Sequence, residues 1–130
     1  MEFLKSNNVP QAIGPYSQAI RVNGMIYTSG QIALTPEGEM VEPDIKKQTR
    51  QVLTNLRNLL EDSGSGLHNV VKANIYLANM EDFGIVNVIY AEYFGDHKPA
   101  RSTVAVKTLP KNALVEIDVV ATAGLGGLMA

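Results

Sequence analysis

The chain contains no cysteine, which removes disulfide frameworks, thiolate metal sites and a thiol nucleophile and leaves reducing and oxidising compartments equally open. Its two histidines, His68 and His97, lie far apart in sequence. No HExxH, GxSxG, P-loop or GxGxxG pattern is present, so no motif points to a metal or an organic cofactor, and none is expected. Basic residues are not in surplus: 11 Lys and Arg face 13 Asp and Glu, for a net charge of −2. Nothing here provides the positive footprint that a phosphate backbone demands. No apolar run approaches the roughly 18 residues needed to span a bilayer. The opening MEFLKSNNVPQ has neither the apolar stretch of a secretory signal nor the arginines of a transit peptide, the first arginine being Arg21. The expected location is cytoplasmic, or the mitochondrial matrix if a presequence has been removed.

What is present is a chain of 130 residues, 45% of them hydrophobic, enough for one packed core. Two β-rich runs, SQAIRV and MIYTSG, flank Asn23-Gly24, the dipeptide suited to a two-residue hairpin turn with positive φ at both positions. A third extended piece around Gln31 to Leu34 ends at the Thr35-Pro36-Glu37-Gly38 loop. From Asp44 to Ser63 the apolar residues Ile45, Val52, Leu56, Leu59 and Leu60 recur at helical steps, opposite mainly charged positions. Gly64 and Gly66 stop that helix. An alternating strand follows, with Val71, Ala73, Ile75 and Leu77 on one face. Met80-Glu81-Asp82 opens a second helix with the stripe Phe83, Val86, Tyr90 and Phe94, and His97-Lys98-Pro99 ends it. RSTVAVK and LVEIDVVA supply two further strands.

The order β-β-α-β-α-β-β predicts an α+β fold: a single mixed sheet with two helices packed on one face, because each helix has one apolar stripe to cover. The chain reads as one domain, with a core over about residues 10–123 and a glycine-rich tail over 124–130 that frays or docks on a neighbour. The second sheet face, carrying Ser17, Ala19 and Val22, is left uncovered and suits packing against other copies.

Four places carry chemistry. Arg101 opens a strand directly after Pro99-Ala100, where a guanidinium can clasp a carboxylate or join a surface ion pair. Alternation puts Glu116 and Asp118 on one strand face, able to serve a water, line a solvated face or pair with Arg101. Gly14-Pro15 forces an abrupt turn before Tyr16, whose ring suits a pocket, a core or an interface equally. Ser29-Gly30 offers backbone amides to an anion, though a β-bulge has the same pattern. His68 and His97 read as solvent-facing.

These segments, AIGPYSQAI, IYTSGQIALTPEGEMVE, Asn87 within IVNVIYAEYF, and PARSTVAVKTLPKNALVEIDVVA, resemble in the same order those of the reactive-intermediate deaminase family (Rid, or YjgF). The resemblance implies a chorismate-mutase-like α+β fold, assembled as a homotrimer with the sheets forming a central barrel and ligand sites in the clefts between subunits. It implies cofactor-independent hydrolysis of 2-imino acids to 2-keto acids and ammonia. Arg101 would bind the substrate carboxylate and Glu116 orient or activate water, while Tyr16, Ser29, Gly30, Asn87 and Thr103 line the pocket. Thr103 stands where many bacterial relatives have cysteine, and the loop Gly95 to Lys98 is shorter than in some. The competing readings are a trimeric protein that binds small carboxylates without turning them over and, less in keeping with the charge, an RNA-cleaving or translation-inhibiting protein.

Overall fold

Asn23 and Gly24 both adopt positive φ, 51° and 75°, and the turn they make joins strands β2 (Ala19–Val22) and β3 (Met25–Thr28) as an antiparallel hairpin. This hairpin seeds one side of the sheet in a computed structural model that describes residues 1–124. The glycine-rich tail read from the sequence therefore falls, from residue 125 onward, outside the described residues. A short strand that sequence patterning missed, β1 (Glu2–Leu4), extends the hairpin by pairing with β2. Helix α1 (Ile45–Asp62) starts at Asp44, whose side chain accepts from the Lys47 N–H, and ends before Gly64, where φ is 83°. Strand β4 (Val70–Leu77), helix α2 (Phe83–Phe94), strand β5 (Ala100–Ala105) and strand β6 (Val115–Thr122) complete the chain. Helix α2 stops at Gly95, which takes φ 61°, two residues before the expected His97-Lys98-Pro99 boundary.

The six strands lie in the order β1-β2-β3-β6-β4-β5. Only β4 and β5 are parallel, joined by the α2 crossover; the other pairs are antiparallel. This is the expected mixed sheet, with both helices on one face. On β6, Val115, Ile117, Val119 and Ala121 are buried, as are Ala73, Ile75 and Leu77 on β4, and they pack with Val52, Leu53, Leu56, Leu59 and Leu60 of α1 and Val86, Ile89 and Tyr90 of α2.

Three positions differ from the sequence reading. Val71 does not share the buried face of β4 but is 44% exposed, because the β4–β6 register shifts between Val70 and Lys72 and the extra residue bulges outward. Ala19 is not on the uncovered face: it pairs with Leu4 and Thr28 and is buried in the core. His97 is not solvent-facing, since its Nε2 lies 2.6 Å from the Val70 carbonyl oxygen. The open face is nonetheless apolar in part. Register aligns Phe3, Ile20, Tyr27 and Val120 in one row across β1, β2, β3 and β6, and Phe3, Tyr27 and Val104 are large exposed hydrophobics.

The segment between β3 and α1 has few ladder hydrogen bonds, so its carbonyls need other partners. Two buried polar side chains of α1 meet that need. Asn55 donates to the Leu34 carbonyl, while Gln48 donates to the carbonyls of Val41 and Glu42 and accepts from the Leu114 N–H. Among the described residues no helix is long and apolar enough to cross a membrane. Replacing Gln48 with Leu strands these backbone groups and is expected to lower stability by about 2 kcal/mol, read as a fall in the urea midpoint with an unchanged m-value.

Candidate functional site

Strand alternation decides where the candidate residues go. The buried run of β6 occupies odd positions, so Glu116 and Asp118 are turned to the opposite, open face. Opposite Glu116 the β3 side of the sheet carries a surplus residue: Tyr27 pairs with Val120, yet Gln31 rather than Gly30 pairs with Ile117. The Ser29-Gly30 segment is thus a bulge. It is tied down by the Ser29 N–H to the Gln18 carbonyl and by the Ser29 hydroxyl, which donates to the Ser17 carbonyl. The Glu116 carboxylate sits in the notch so formed. A Cβ on Gly30 would lie 2.2 Å from Glu116 Oε2, so only glycine admits the carboxylate there. Tyr16, Ser29, Gly30, Gln31, Lys111 and Glu116 line a cavity of about 580 Å³ with apolar walls from Ile13, Ile32 and Leu34. Lys111 at its rim takes a left-handed conformation, φ 56°, as does the following Asn112 at 55°, sparsely populated for residues with a Cβ.

Burial pushes the Glu116 carboxyl above its ordinary value of 4.5, and the negative charge of Asp118 on the same face adds to the rise. Asp118 in turn accepts from the Asn74 amide at 2.9 Å. Tyr76, which pairs with Glu116 across β4 and β6, is also raised, chiefly by the charge of Asp118 and then by burial. Ionisation of Glu116 is therefore held back, which favours a carboxyl that can both take up and return a proton.

Arg101 lies elsewhere. It pairs with Ala73 on β4, and Ala73 pairs with Val119 on β6, so Arg101 shares the helix-covered face and reaches α2. Its Nη1 donates to Asn87 Oδ1 at 2.7 Å, and its guanidinium lies 5.4 Å from the Phe83 ring centroid and 4.9 Å from that of Tyr90. Asn87, Tyr90, Phe94, His97, Pro99 and Arg101 line a second cavity, of about 460 Å³. Thr103 follows on the same face of β5, opposite Ile75; its hydroxyl is buried and has no hydrogen-bond partner among the described residues. Tyr90 is likewise buried with an unpartnered hydroxyl, and burial raises its pKa against a smaller opposing pull from the Arg101 charge.

The seven candidates therefore form two groups. Tyr16, Ser29, Gly30 and Glu116 meet on one side of the sheet; Asn87 and Arg101 meet on the other, with Thr103 on the same face. Two strand spacings and three residues of β6 separate them, roughly 10 Å in each direction, and they face opposite ways. The expected alternative of an Arg101 pairing with Glu116 or Asp118 inside one chain is thereby removed. Phe83, Tyr90 and Lys111 belong to these surroundings and were not singled out from sequence; the first two read as part of the apolar stripe of α2.

A sequence model of the family described as Endoribonuclease L-PSP matches residues 6–123. The chain belongs to this family, also known as YjgF or Rid. A RutC family protein of Pyrococcus horikoshii is 49% identical over 121 residues, covering 92% of this chain and 96% of its own. The chloroplastic Reactive Intermediate Deaminase A of Arabidopsis thaliana is 46% identical over 122 residues, covering 93% of this chain and 65% of that protein. The crystal structure of a Rid family protein of unknown function from Yersinia pestis superposes with a TM-score of 0.91 at 50% identity, covering 93% of this chain and 98% of that one. Rid membership with a deaminase-named relative supports enamine and imine deamination at the level of the family.

The raised pKa of Glu116 has a consequence for stability. Because the folded chain holds this proton more tightly than the unfolded chain, stability falls as pH rises from about 4.5 through the raised value. Glu116→Gln is expected to raise the melting temperature at pH 7, and the gain should close below pH 4.5. Gly30→Ala should expel the carboxylate from its notch. Its titration midpoint, followed by NMR, is expected to move back toward 4.5.

Proposed function

We propose that the protein hydrolyses reactive 2-imino acids, formed from enamines such as 2-aminoacrylate, to 2-keto acids and ammonia, at sites shared between neighbouring copies of a homotrimer. The observation that carries this reading is the separation of Arg101 from Glu116 on opposite sheet faces, with an exposed apolar row beside the Glu116 half. A three- or four-carbon acid spans roughly 5 Å, too short to touch both within one chain. A second copy packed on the open face brings the Arg101 half of one chain to the Glu116 half of the next and covers the row through Phe3 and Tyr27 together with exposed Val104.

In the completed site the Arg101 guanidinium holds the substrate carboxylate by a charge-assisted pair worth about 1.5–3 kcal/mol. That places the protonated imine carbon before Glu116. Glu116 takes a proton from water as its oxygen bonds to C2, giving an amino alcohol. Glu116 then returns that proton to the nitrogen, the C–N bond breaks and ammonia leaves, and the C2 hydroxyl passes its own proton to the Glu116 carboxylate as it becomes the keto oxygen. A carboxyl held above the ordinary range suits both transfers. The Gly30 N–H of the bulge and the Tyr16 hydroxyl are at hand to orient the water and the nitrogen. Each step draws on groups of the chain, water and the substrate, and none calls for a cofactor.

Coupling the protein to a serine or threonine dehydratase and following imine decay and ammonia release tests the reading. Arg101→Ala is expected to lose about 10- to 100-fold in kcat/KM, and Glu116→Gln to lose turnover while still binding 2-keto acid. Co-assembled Arg101→Ala and Glu116→Gln chains should regain activity at about a quarter of their sites. No acceleration by the folded wild type over spontaneous decay would instead leave a carboxylate-binding protein.

A further inference from the structure

Helix α2 presents Phe83, Asn87 and Tyr90 at steps of four and three, one face of a helix, and all three reach the same guanidinium. Asn87 Oδ1 accepts from Arg101 Nη1 at 2.7 Å. The Arg101 guanidinium carbon lies 5.4 Å from the Phe83 centroid and 4.9 Å from the Tyr90 centroid, inside the range at which a weakly hydrated cation is attracted to a ring face. The Tyr90 ring is itself buttressed. It stacks on Phe94 with centroids 4.3 Å apart and planes at 25°; Phe94 neighbours the His97 ring at 6.4 Å; and His97 Nε2 is anchored to the Val70 carbonyl at 2.6 Å. Meanwhile the Tyr90 hydroxyl is buried without a partner among the described residues. The ring, not the hydroxyl, is therefore what this position supplies.

We propose that Phe83 and Tyr90 are positioning residues for Arg101: an aromatic cradle, with Asn87 fixing one edge, that holds the guanidinium in place before a carboxylate arrives. An arginine side chain left free near a strand end samples many rotamers and must lose that freedom on binding. In the cradle one side-chain acceptor, Asn87 Oδ1, satisfies a single edge, and the remaining donors stay open for a planar, two-oxygen ligand. The cavity alongside, about 460 Å³ and bounded by Pro99, Gly95 and Phe94, leaves room for a small carboxylate at that edge. The role of Arg101 as carboxylate clamp rests on the proposed function; the cradle itself does not.

The test uses Phe83→Leu, at the half-buried start of α2, with Phe83→Tyr and Tyr90→Phe as conservative partners. Nitrogen-15 relaxation of the Arg101 Nε–H is expected to show a rigid group in the wild type, Phe83→Tyr and Tyr90→Phe. In Phe83→Leu its order parameter should fall toward the flexible range, below about 0.6. The Kd for 2-oxobutanoate and the KM for imine are expected to rise about five- to tenfold in Phe83→Leu, with kcat within about twofold of wild type. Both conservative variants should bind as the wild type does. An Arg101 equally mobile in wild type and Phe83→Leu, or a loss confined to kcat, overturns the cradle. The relaxation measurement decides this even if the protein proves to hydrolyse no imine.

Discussion

Along β6, Val115, Ile117, Val119 and Ala121 are buried beneath the helices, and a strand cannot turn two consecutive side chains the same way. The placement of the candidate groups follows from that constraint. Burying the odd positions sends Glu116 and Asp118 to the other face, away from every helix, while the parallel pairing of β5 with β4 sends Arg101 to the helix side. A one-residue slip of β6 would exchange the core for the carboxylates, so the same burial that holds the sheet together keeps the register of the site. The Ser29-Gly30 bulge then adjusts the neighbouring backbone to the carboxylate.

The two halves of the site use different physics. Around Glu116, burial and a neighbouring acid make ionisation costly. Around Arg101 the surroundings are aromatic rings and an amide oxygen, which accept a positive charge without neutralising it. On the proposed reading, a reaction between water and an anionic electrophile draws on both environments, one that handles protons and one that handles permanent charge.

Much of this was legible in the sequence because the strongest signals are local. Asn23-Gly24 specifies a turn, Asp44 a helix start, and the spacing of Val52, Leu56, Leu59 and Leu60 a buried helix face. Failures came where a local pattern was overruled at a distance. Val71 continues an apolar alternation that its bulge interrupts, and Glu2–Leu4 is too short to show a period yet gains a partner in β2. Gln48 and Asn55 carry no apolar signal in the sequence, yet both are buried on α1, where they supply partners to irregular chain beside them. For the site, alternation could assign Glu116 and Asp118 to one face of their strand, but not the face of Arg101 relative to it, since that depends on how β5 pairs. Phe83 and Tyr90 were hidden for another reason: an aromatic ring facing a cation leaves the same mark in a sequence as one facing a core.

The opposed orientation of the two half-sites also bears on when the protein is reactive. On the proposed reading, a newly folded single chain carries every group the reaction needs and yet is chemically silent. Each association event creates competence that no individual copy possesses. Near the dissociation constant of the assembly, the number of working sites then climbs faster than the amount of protein, so a cell making a little more of this chain gains disproportionately more protection against its substrates.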